Sequence, residues 1–203
     1  MKVIVGETLT ELAADWIAQW SLKYDPFAIS LAGGSTPKAI YERLATMSLD
    51  WDTWHVWWGD ERIVEPDHVD SNERMAREAF LDHVEIPDSQ ITPLNAIDIS
   101  LPKQFHLALL GIGSDGHTAS LFPGDPGLKA TQPIVRVERP DHPRLSFTYS
   151  VLNNAECAVF LVGGEGKREI LTRIVSGDES LPATHIRAAE VIVLADKAAA
   201  DGL

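Results

Sequence analysis

Short apolar runs alternate with segments of helical periodicity along the whole chain. The runs predict strands, and the segments between several of them repeat apolar residues every three or four positions. Strands that alternate with helices form a mainly parallel sheet covered by helices on both faces, so the pattern predicts an α/β protein. The predicted strands are residues 2–5, 27–31, 55–58, 105–110, 134–137, 145–150, 157–162 and 191–195.

Capping signals predict where the helices begin. Thr8 with Glu11 three residues later has the form of a capping box, and Pro37 is expected at the first position of the second helix, capped by Ser35 or Thr36. A proline-glycine pair is expected to end the short fourth helix. The predicted helices are residues 8–21, 37–46, 71–83, 116–122 and 166–176.

Length and composition predict one domain, residues 1–203, in a reducing compartment. A chain of 203 residues with 45% hydrophobic residues is an ordinary globular size and composition. Its single cysteine, Cys157, excludes a disulfide or a multi-cysteine zinc site within the monomer. The apolar run at the N-terminus is too short for a signal peptide, and no stretch reaches the ~18 apolar residues of a membrane span. We therefore expect a soluble, cytoplasmic protein.

The net charge is −13. An acidic field repels phosphate backbones and anionic lipids, so nucleic acids and membranes are not expected partners. The seven histidines are scattered, and no spacing of His, Asp and Glu in the sequence indicates a metal site.

A glycine pair follows the second predicted strand and precedes a helix. Consecutive glycines allow a turn that exposes N–H groups, and the helix N-terminus adds partial positive charge. With the hydroxyls that follow, this predicts an anion cradle, although a plain turn with an N-cap remains the alternative. The ending of a P-loop is absent. The residues concerned are Gly33, Gly34, Ser35 and Thr36.

Residues 111–116 match the Gly-x-Gly-x-x-Gly pattern of dinucleotide-binding loops. That pattern needs a full helix after it, but Pro123 follows Gly116 within about two helical turns. About twenty residues further on, where such a site needs an acid, the chain has Arg136. We therefore do not expect a nucleotide site, although Glu138 close by leaves that alternative open.

The same loop carries residues suited to proton transfer. His117, at a strand end and the start of a short helix, is placed to act as a general base near neutral pH. Asp115 would orient the imidazole, and loop N–H groups would receive an oxyanion. Alternatively, Asp115 caps the helix and His117 is a surface residue. A triad with Ser114 is not expected, because residues this close in sequence rarely face one another in relay geometry.

Two further strand ends carry cations. Asp60, Glu61 and Arg62 follow the third predicted strand, and Arg62 is suited to clamp a phosphate or carboxylate. A local ion pair with either acid is the alternative. Lys167 follows another glycine pair near a helix N-terminus, where a cation opposes the helix dipole and so indicates a bound anion or a solvated lysine.

Taken together, these stretches resemble the 6-phosphogluconolactonase family. The most specific match is residues 110–124, from Leu110 through Asp115-Gly116-His117 to Gly124. The other matches are residues 31–37, 57–62, 70–72 and 74–76, and more loosely 143–146 and 163–167. The match covers most of the chain, but the region 131–144 is short for the family and 188–203 matches weakly.

The resemblance implies a Rossmann-like sheet and the metal-independent, cofactor-free hydrolysis of a phosphorylated sugar lactone. By motif, the catalytic residues are His117 as base, Asp115 beside it and Arg62. The residues implied to bind the substrate are Gly33, Gly34, Ser35, Thr36, Asp60, Gly113, Arg144 and Lys167. An acidic protein needs such a local group of cations to capture a phosphate ester.

Two other functions remain open from the sequence. In a glucosamine-6-phosphate deaminase or a sugar-phosphate isomerase, Asp60 would move a proton between carbons and His117 would assist ring opening. The Gly-Asp-Glu-Arg sequence of residues 59–62 favours the lactonase. A non-catalytic sugar-phosphate sensor on the same fold is the third possibility, and intact Asp115 and His117 argue against it.

Overall fold

The computed structural model describes residues 1–203, and strands alternate with helices through most of them. The strands are β1 (Lys2–Gly6), β2 (Phe27–Leu31), β3 (Trp54–Trp58), β4 (Asp60–Arg62), β5 (Leu107–Leu110), β6 (Ile134–Val137), β7 (Arg144–Phe147), β8 (Cys157–Val162) and β9 (Glu190–Asp196). The α-helices are α1 (Leu9–Ser21), α2 (Ser35–Leu44), α3 (Asn72–Ala79), α4 (Tyr149–Leu152), α5 (Arg168–Val175) and α6 (Lys197–Ala200). None of them is both long and apolar enough to cross a membrane.

Six strands form the predicted parallel sheet, in the order β1-β9-β8-β5-β2-β3. Every neighbouring pair in it runs parallel. The central strands β2, β5 and β8 are buried at every position, which explains their uninterrupted apolar sequences. The fold-class prediction is therefore confirmed.

The sheet reverses its direction of growth between β2 and β5. The connections from β1 to β2 and from β2 to β3 lead towards one edge, whereas those from β5 to β8 and from β8 to β9 lead towards the other. Right-handed crossovers then put α1 and α2 on one face and α5 on the opposite face. The loops that leave β2 and β5 diverge, and a crevice opens between them where such sheets bind ligands.

A second, antiparallel sheet was not predicted. It has the order β4-β7-β6 and sits beyond the end of β3, because Gly59 separates β3 from β4. In this sheet Arg62 pairs directly with Arg144 and Asp60 pairs with Ser146. The polar residues 60–62, which were predicted to follow a strand, therefore form a short strand of their own beside the crevice.

The apolar side chains of both sheets and the helices form one core cluster of 55 buried residues. Trp54, Trp58 and Tyr41 are among its largest fully buried members. The hydroxyl of Tyr41 donates to the carbonyl of Ala32 (2.9 Å) and accepts the N–H of the same residue (3.0 Å). Helix α2 is thereby fixed to the segment that follows β2.

The predicted helix over residues 116–122 is wrong. Gly116 and Ala119 have φ angles of 82° and 47°, which no right-handed helix accommodates. The hydroxyl of Thr118 instead bonds the carbonyl of Gly111 (2.9 Å), and Thr118 bridges to Leu121. Two tight turns replace the helix, so Asp115 is not a helix cap.

Several helix boundaries also differ from the prediction. Thr8 precedes α1 but its side chain makes no cap, and Glu11 pairs with Arg43 of α2 (2.9 Å), so the predicted capping box does not form. The cap of α2 is Gly34, whose φ of 105° starts the helix two residues earlier, so that Pro37 is its third residue. Helix α3 ends at Ala79 and is followed by a 3-10 helix, Leu81–His83. Strand β7 ends at Phe147, since α4 begins two residues later.

Replacing Tyr41 by Phe should lower the free energy of unfolding by about 1–3 kcal/mol, because both backbone groups of buried Ala32 lose their partner. Urea unfolding followed by tryptophan fluorescence measures the change. Tyr149→Phe is the matched control: it loses a single bond to the Pro182 carbonyl and should cost about 1 kcal/mol or less. A Tyr41→Phe protein as stable as wild type would contradict this role.

Candidate active site

The crevice between β2 and β5 contains a cavity of about 290 Å³. Cations outnumber acids in its wall: Arg62, Arg144 and Lys167 face a single carboxylate, that of Asp60. In a protein of net charge −13 this is a local reversal of sign. The cavity is lined by Leu31, Ala32, Gly33, Gly59, Asp60, Arg62, Asn72, Leu109, Leu110, Gly111, Ile112, Gly113, His117, Ala119, Arg144 and Lys167.

His117 lies in the cavity wall with its imidazole held by Asp115. The Nδ1 atom of His117 is 2.6 Å from Oδ1 of Asp115, which also accepts the backbone N–H of His117 (3.1 Å). Partial burial of Asp115 opposes its ionisation, but these two contacts outweigh that effect and lower its pKa. A carboxylate on Nδ1 favours the tautomer that leaves Nε2 free to accept a proton. Ser114 makes no hydrogen bond to His117, so these residues form a pair and no triad.

The turn that creates this pair depends on glycine. The N–H of Gly113 donates to the carbonyl of His117 (2.9 Å), and the N–H of Gly116 donates to the carbonyl of Gly113 (3.0 Å). A Cβ on Gly113 would lie 2.1 Å from Nδ1 of His117 and 2.7 Å from Oδ1 of Asp115. Only a residue without a side chain leaves room for the imidazole there.

Arg62 and Arg144 stand side by side across the antiparallel sheet. They are direct register partners, and like charges in that arrangement repel unless an anion lies between them or beside them. Arg144 has one counterion, Asp141 (2.6 Å). Arg62 bonds only neutral oxygens, the Asp70 carbonyl (3.0 Å) and Oδ1 of Asn72 (2.5 Å). The Nε atoms of both arginines are buried without a partner, so the pair is suited to bind an anion.

Asn72 lines the cavity, but no role was predicted for it from the sequence, although it lies within the matched stretch 70–72. It is buried, donates from Nδ2 to the carbonyl of Asp60 (2.8 Å) and accepts from Arg62. Its amide sits on Gly33, where a Cβ would be 1.9 Å from Oδ1. The polar sequence before α3 was a signal for this residue, but its approach to Gly33 requires tertiary structure.

Glu61 joins the second sheet to α3 and thereby fixes Arg62 and Asn72. Its carboxylate accepts the N–H groups of Arg62 (2.8 Å), Asn72 (2.7 Å) and Glu73 (2.7 Å) and the hydroxyl of Ser71 (3.1 Å). Burial raises the pKa of Glu61, and the N–H groups oppose that shift. An acid at a helix N-terminus is favourable for the helix dipole. Neither Glu61 nor Asp60 pairs with Arg62, so the alternative interpretation of these residues, a local ion pair, is wrong.

Asp60 and Lys167 lie in the same cavity but are engaged with protein groups. Oδ2 of Asp60 accepts the hydroxyl of buried Ser120 (2.6 Å). Nζ of Lys167 donates to the carbonyl of Ile112 (2.5 Å). The N–H groups of Gly111 and Ile112 have no hydrogen-bond partner, and both residues line the cavity. The N–H groups of Gly113 and Gly116 are used within the turn.

The glycine pair after β2 is divided between surfaces. Gly33 lines the cavity, while Gly34 and Ser35 line an adjoining groove that shares Arg62 and Asn72 with it. Thr36 faces a third depression beside Gly163. The first N–H groups of α2 have no intrahelical partner. They are available to an anion bound in the groove that Gly34 and Ser35 line.

This fold and this cavity define an α/β protein with a candidate ligand site at the reversal point of a parallel sheet, where cations outnumber acids. A match to the family described as "Glucosamine-6-phosphate isomerases/6-phosphogluconolactonase" spans residues 4–194. The chain belongs to this family.

Curated relatives and a solved structure support this family assignment. A 6-phosphogluconolactonase from Synechocystis sp. is 42% identical over 201 residues, 86% of this chain and 84% of that protein. One from Nostoc sp. is 40% identical over 199 residues, 85% and 83% of the two chains. The crystal structure of 6-phosphogluconolactonase from Thermotoga maritima superposes with a TM-score of 0.86 at 28% identity, over 97% of this chain and 99% of that one.

Replacing Glu61 by Gln should lower the free energy of unfolding by about 1.5–3 kcal/mol, since an amide NH₂ would then face N–H donors at the start of α3. Urea unfolding measures it. Glu73→Gln, which changes an acid of the same helix whose side chain pairs with Arg77 near the surface, is the control and should cost about 1 kcal/mol or less. Equal losses in the two variants would argue against a special role for Glu61.

Proposed function

We propose that this protein hydrolyses 6-phospho-D-glucono-1,5-lactone to 6-phospho-D-gluconate, a reaction of the pentose phosphate pathway. The observation that carries the proposal is the His117–Asp115 pair in the wall of a cavity that also holds two adjacent arginines. The relatives named 6-phosphogluconolactonase support the same activity. Water is the only co-reactant that this hydrolysis requires.

Arg62 and Arg144 are the proposed phosphate-binding residues. They are direct register partners that line the same cavity, and each has a buried Nε–H without a protein partner. A dianionic phosphate relieves the repulsion between them. The groove with Gly34 and Ser35 adjoins Arg62 and offers further N–H groups. Lys167, on the Ile112 side of the cavity, adds a third cation near the sugar.

His117 is the proposed general base. Its free Nε2 takes a proton from water as the water oxygen attacks the lactone carbonyl carbon, and Asp115 stabilises the imidazolium that forms. The negative charge on the carbonyl oxygen is stabilised by the N–H groups of Gly111 and Ile112 or by Arg62. As the bond to the ring oxygen breaks, the imidazolium returns the proton to that oxygen, which leaves the open-chain acid.

The proposal also covers the domain organisation of the protein, its cell compartment and its partners. One hydrophobic core that draws on residues from Leu9 to Ala199 supports a single lactonase domain. The acidic net charge and the single buried cysteine support a cytoplasmic protein without a nucleic-acid partner.

His117→Ala should reduce kcat about 10²–10⁴-fold, because the general base is lost. The measurement is the initial rate of hydrolysis of freshly generated 6-phospho-D-glucono-1,5-lactone, corrected for spontaneous opening. The variant should bind 6-phospho-D-gluconate almost as tightly as wild type, as calorimetry would measure, because both arginines remain.

Arg144→Gln is the complementary variant and should show the opposite pattern, a large rise in KM with a smaller change in kcat.

Wild-type turnover in His117→Ala would remove His117 from the role of base. Absence of lactonase activity in the wild type, together with release of ammonia from glucosamine 6-phosphate, would favour the deaminase, in which Asp60 moves the proton.

Gly113→Ala should lower kcat by at least tenfold, because the new methyl group would occupy the position of the imidazole. Gly166→Ala is the matched control, since nothing lies within 4 Å of its added Cβ, and it should retain the wild-type rate. Both rates are measured in the lactone assay, with circular dichroism to verify folding. A Gly113→Ala enzyme of full activity would show that the His117–Asp115 geometry is not needed.

A further inference from the structure

Two loops next to Arg62 and Arg144 in the sequence carry the same tripeptide, Pro-Asp-His. It occurs at residues 66–68, in the loop between β4 and α3, and at residues 140–142, in the loop between β6 and β7. The structure brings the two histidines together: the rings of His68 and His142 are 5.1 Å apart and nearly perpendicular. Asp70 joins them with a carboxylate.

The three side chains offer a set of metal ligands. Oδ2 of Asp70 is 3.1 Å from Nε2 of His142 and 3.7 Å from Nδ1 of His68, and all three ligand atoms lie within 4.8 Å of one another. Tetrahedral ligands at metal bonds of about 2.0–2.2 Å lie roughly 3.4 Å apart. The two distances from Asp70 to the histidines, 3.1 and 3.7 Å, lie on either side of that value. A small movement of the two loops would bring the histidine nitrogens to the same separation.

The carboxylate of Asp70 is available to a cation, although the guanidinium of Arg62 bonds the backbone carbonyl of the same residue (3.0 Å). The carboxylate of Asp70 has no Arg or Lys partner, and its only ion-pair partners are the two imidazoles. The nearby guanidinium of Arg144 is neutralised by Asp141. Nδ1 of His68 now accepts the N–H of Asp70 (3.1 Å), and a metal bound through this nitrogen would replace that bond.

Both loops are held in place by backbone hydrogen bonds, so the ligands are partly preorganised. The N–H of His68 donates to the carbonyl of Glu65 (2.9 Å), and the N–H of Ser71 donates to the carbonyl of His68 (3.0 Å). The N–H of Ile63 donates to the carbonyl of Pro143 (2.8 Å) and so connects one loop to the other.

We propose that His68, Asp70 and His142 bind a divalent transition-metal ion, of which Zn²⁺ is the type best suited to two imidazoles and one carboxylate. The site is separate from the proposed catalytic pair and does not depend on the proposed activity. Its effect is to fasten the loop after β4 to the loop before β7, the two segments that flank Arg62 and Arg144.

The test is titration of the full-length protein with Zn²⁺ by calorimetry in a non-chelating buffer, and with Co²⁺ by visible absorption, which reports nitrogen and oxygen ligation directly. Wild type should bind one ion per chain. His142→Ala and Asp70→Asn should each weaken binding by at least tenfold.

Two controls distinguish this site from other histidines. His83→Ala changes an exposed histidine whose ring contacts only the Glu78 carbonyl, and it should bind the metal like wild type, as should His117→Ala. Binding that persists in His142→Ala, or that is lost only in His117→Ala, would overturn the proposal. Absence of any Zn²⁺ heat or Co²⁺ band up to millimolar metal would also overturn it.

Discussion

The reversal of the parallel sheet between β2 and β5 is the constraint on which the site depends. Because crossover connections are right-handed, strands added in opposite directions send their connections to opposite faces. The two loops that part at this point therefore leave backbone N–H groups and a cavity between them. The residues proposed to act on the substrate reach this crevice from several parts of the chain: His117, Gly111 and Ile112 after β5, Arg62 in β4, Arg144 in β7 and Lys167 after β8.

The second constraint is electrostatic. Three cations and one carboxylate line the cavity of a protein with net charge −13. The distant field repels a phosphorylated substrate, whereas the adjacent arginines attract it at short range, where screening by salt is weak. The second sheet makes this possible, because its pairing of β4 with β7 places Arg62 directly opposite Arg144. The buried carboxylate of Glu61 fixes one edge of that pairing.

The sequence predicted those parts of the fold that depend on local pattern. The strands β2 and β8 are buried on both faces, so their short, uninterrupted apolar sequences identified them. The family motifs led to most of the cavity residues. Contacts between distant segments could not be predicted: Asn72 on Gly33, Arg62 beside Arg144, and Asp70 against His142, which is 72 residues away. Histidines that look scattered in sequence are neighbours there because a sheet joins their loops.

The loop at residues 111–116 illustrates why one pattern of glycines has more than one physical meaning. In a dinucleotide site, glycines leave space for a pyrophosphate at the start of a helix. Here no helix follows, since Gly116 and Ala119 adopt left-handed backbone angles. The space that Gly113 leaves is filled by the ring of His117, and the space at Gly116 is filled by Leu181, 2.7 Å from where a Cβ would be. The missing side chains thus leave space for the protein's own groups rather than for a nucleotide. The same spacing that resembles a nucleotide loop supports the contact between His117 and Asp115.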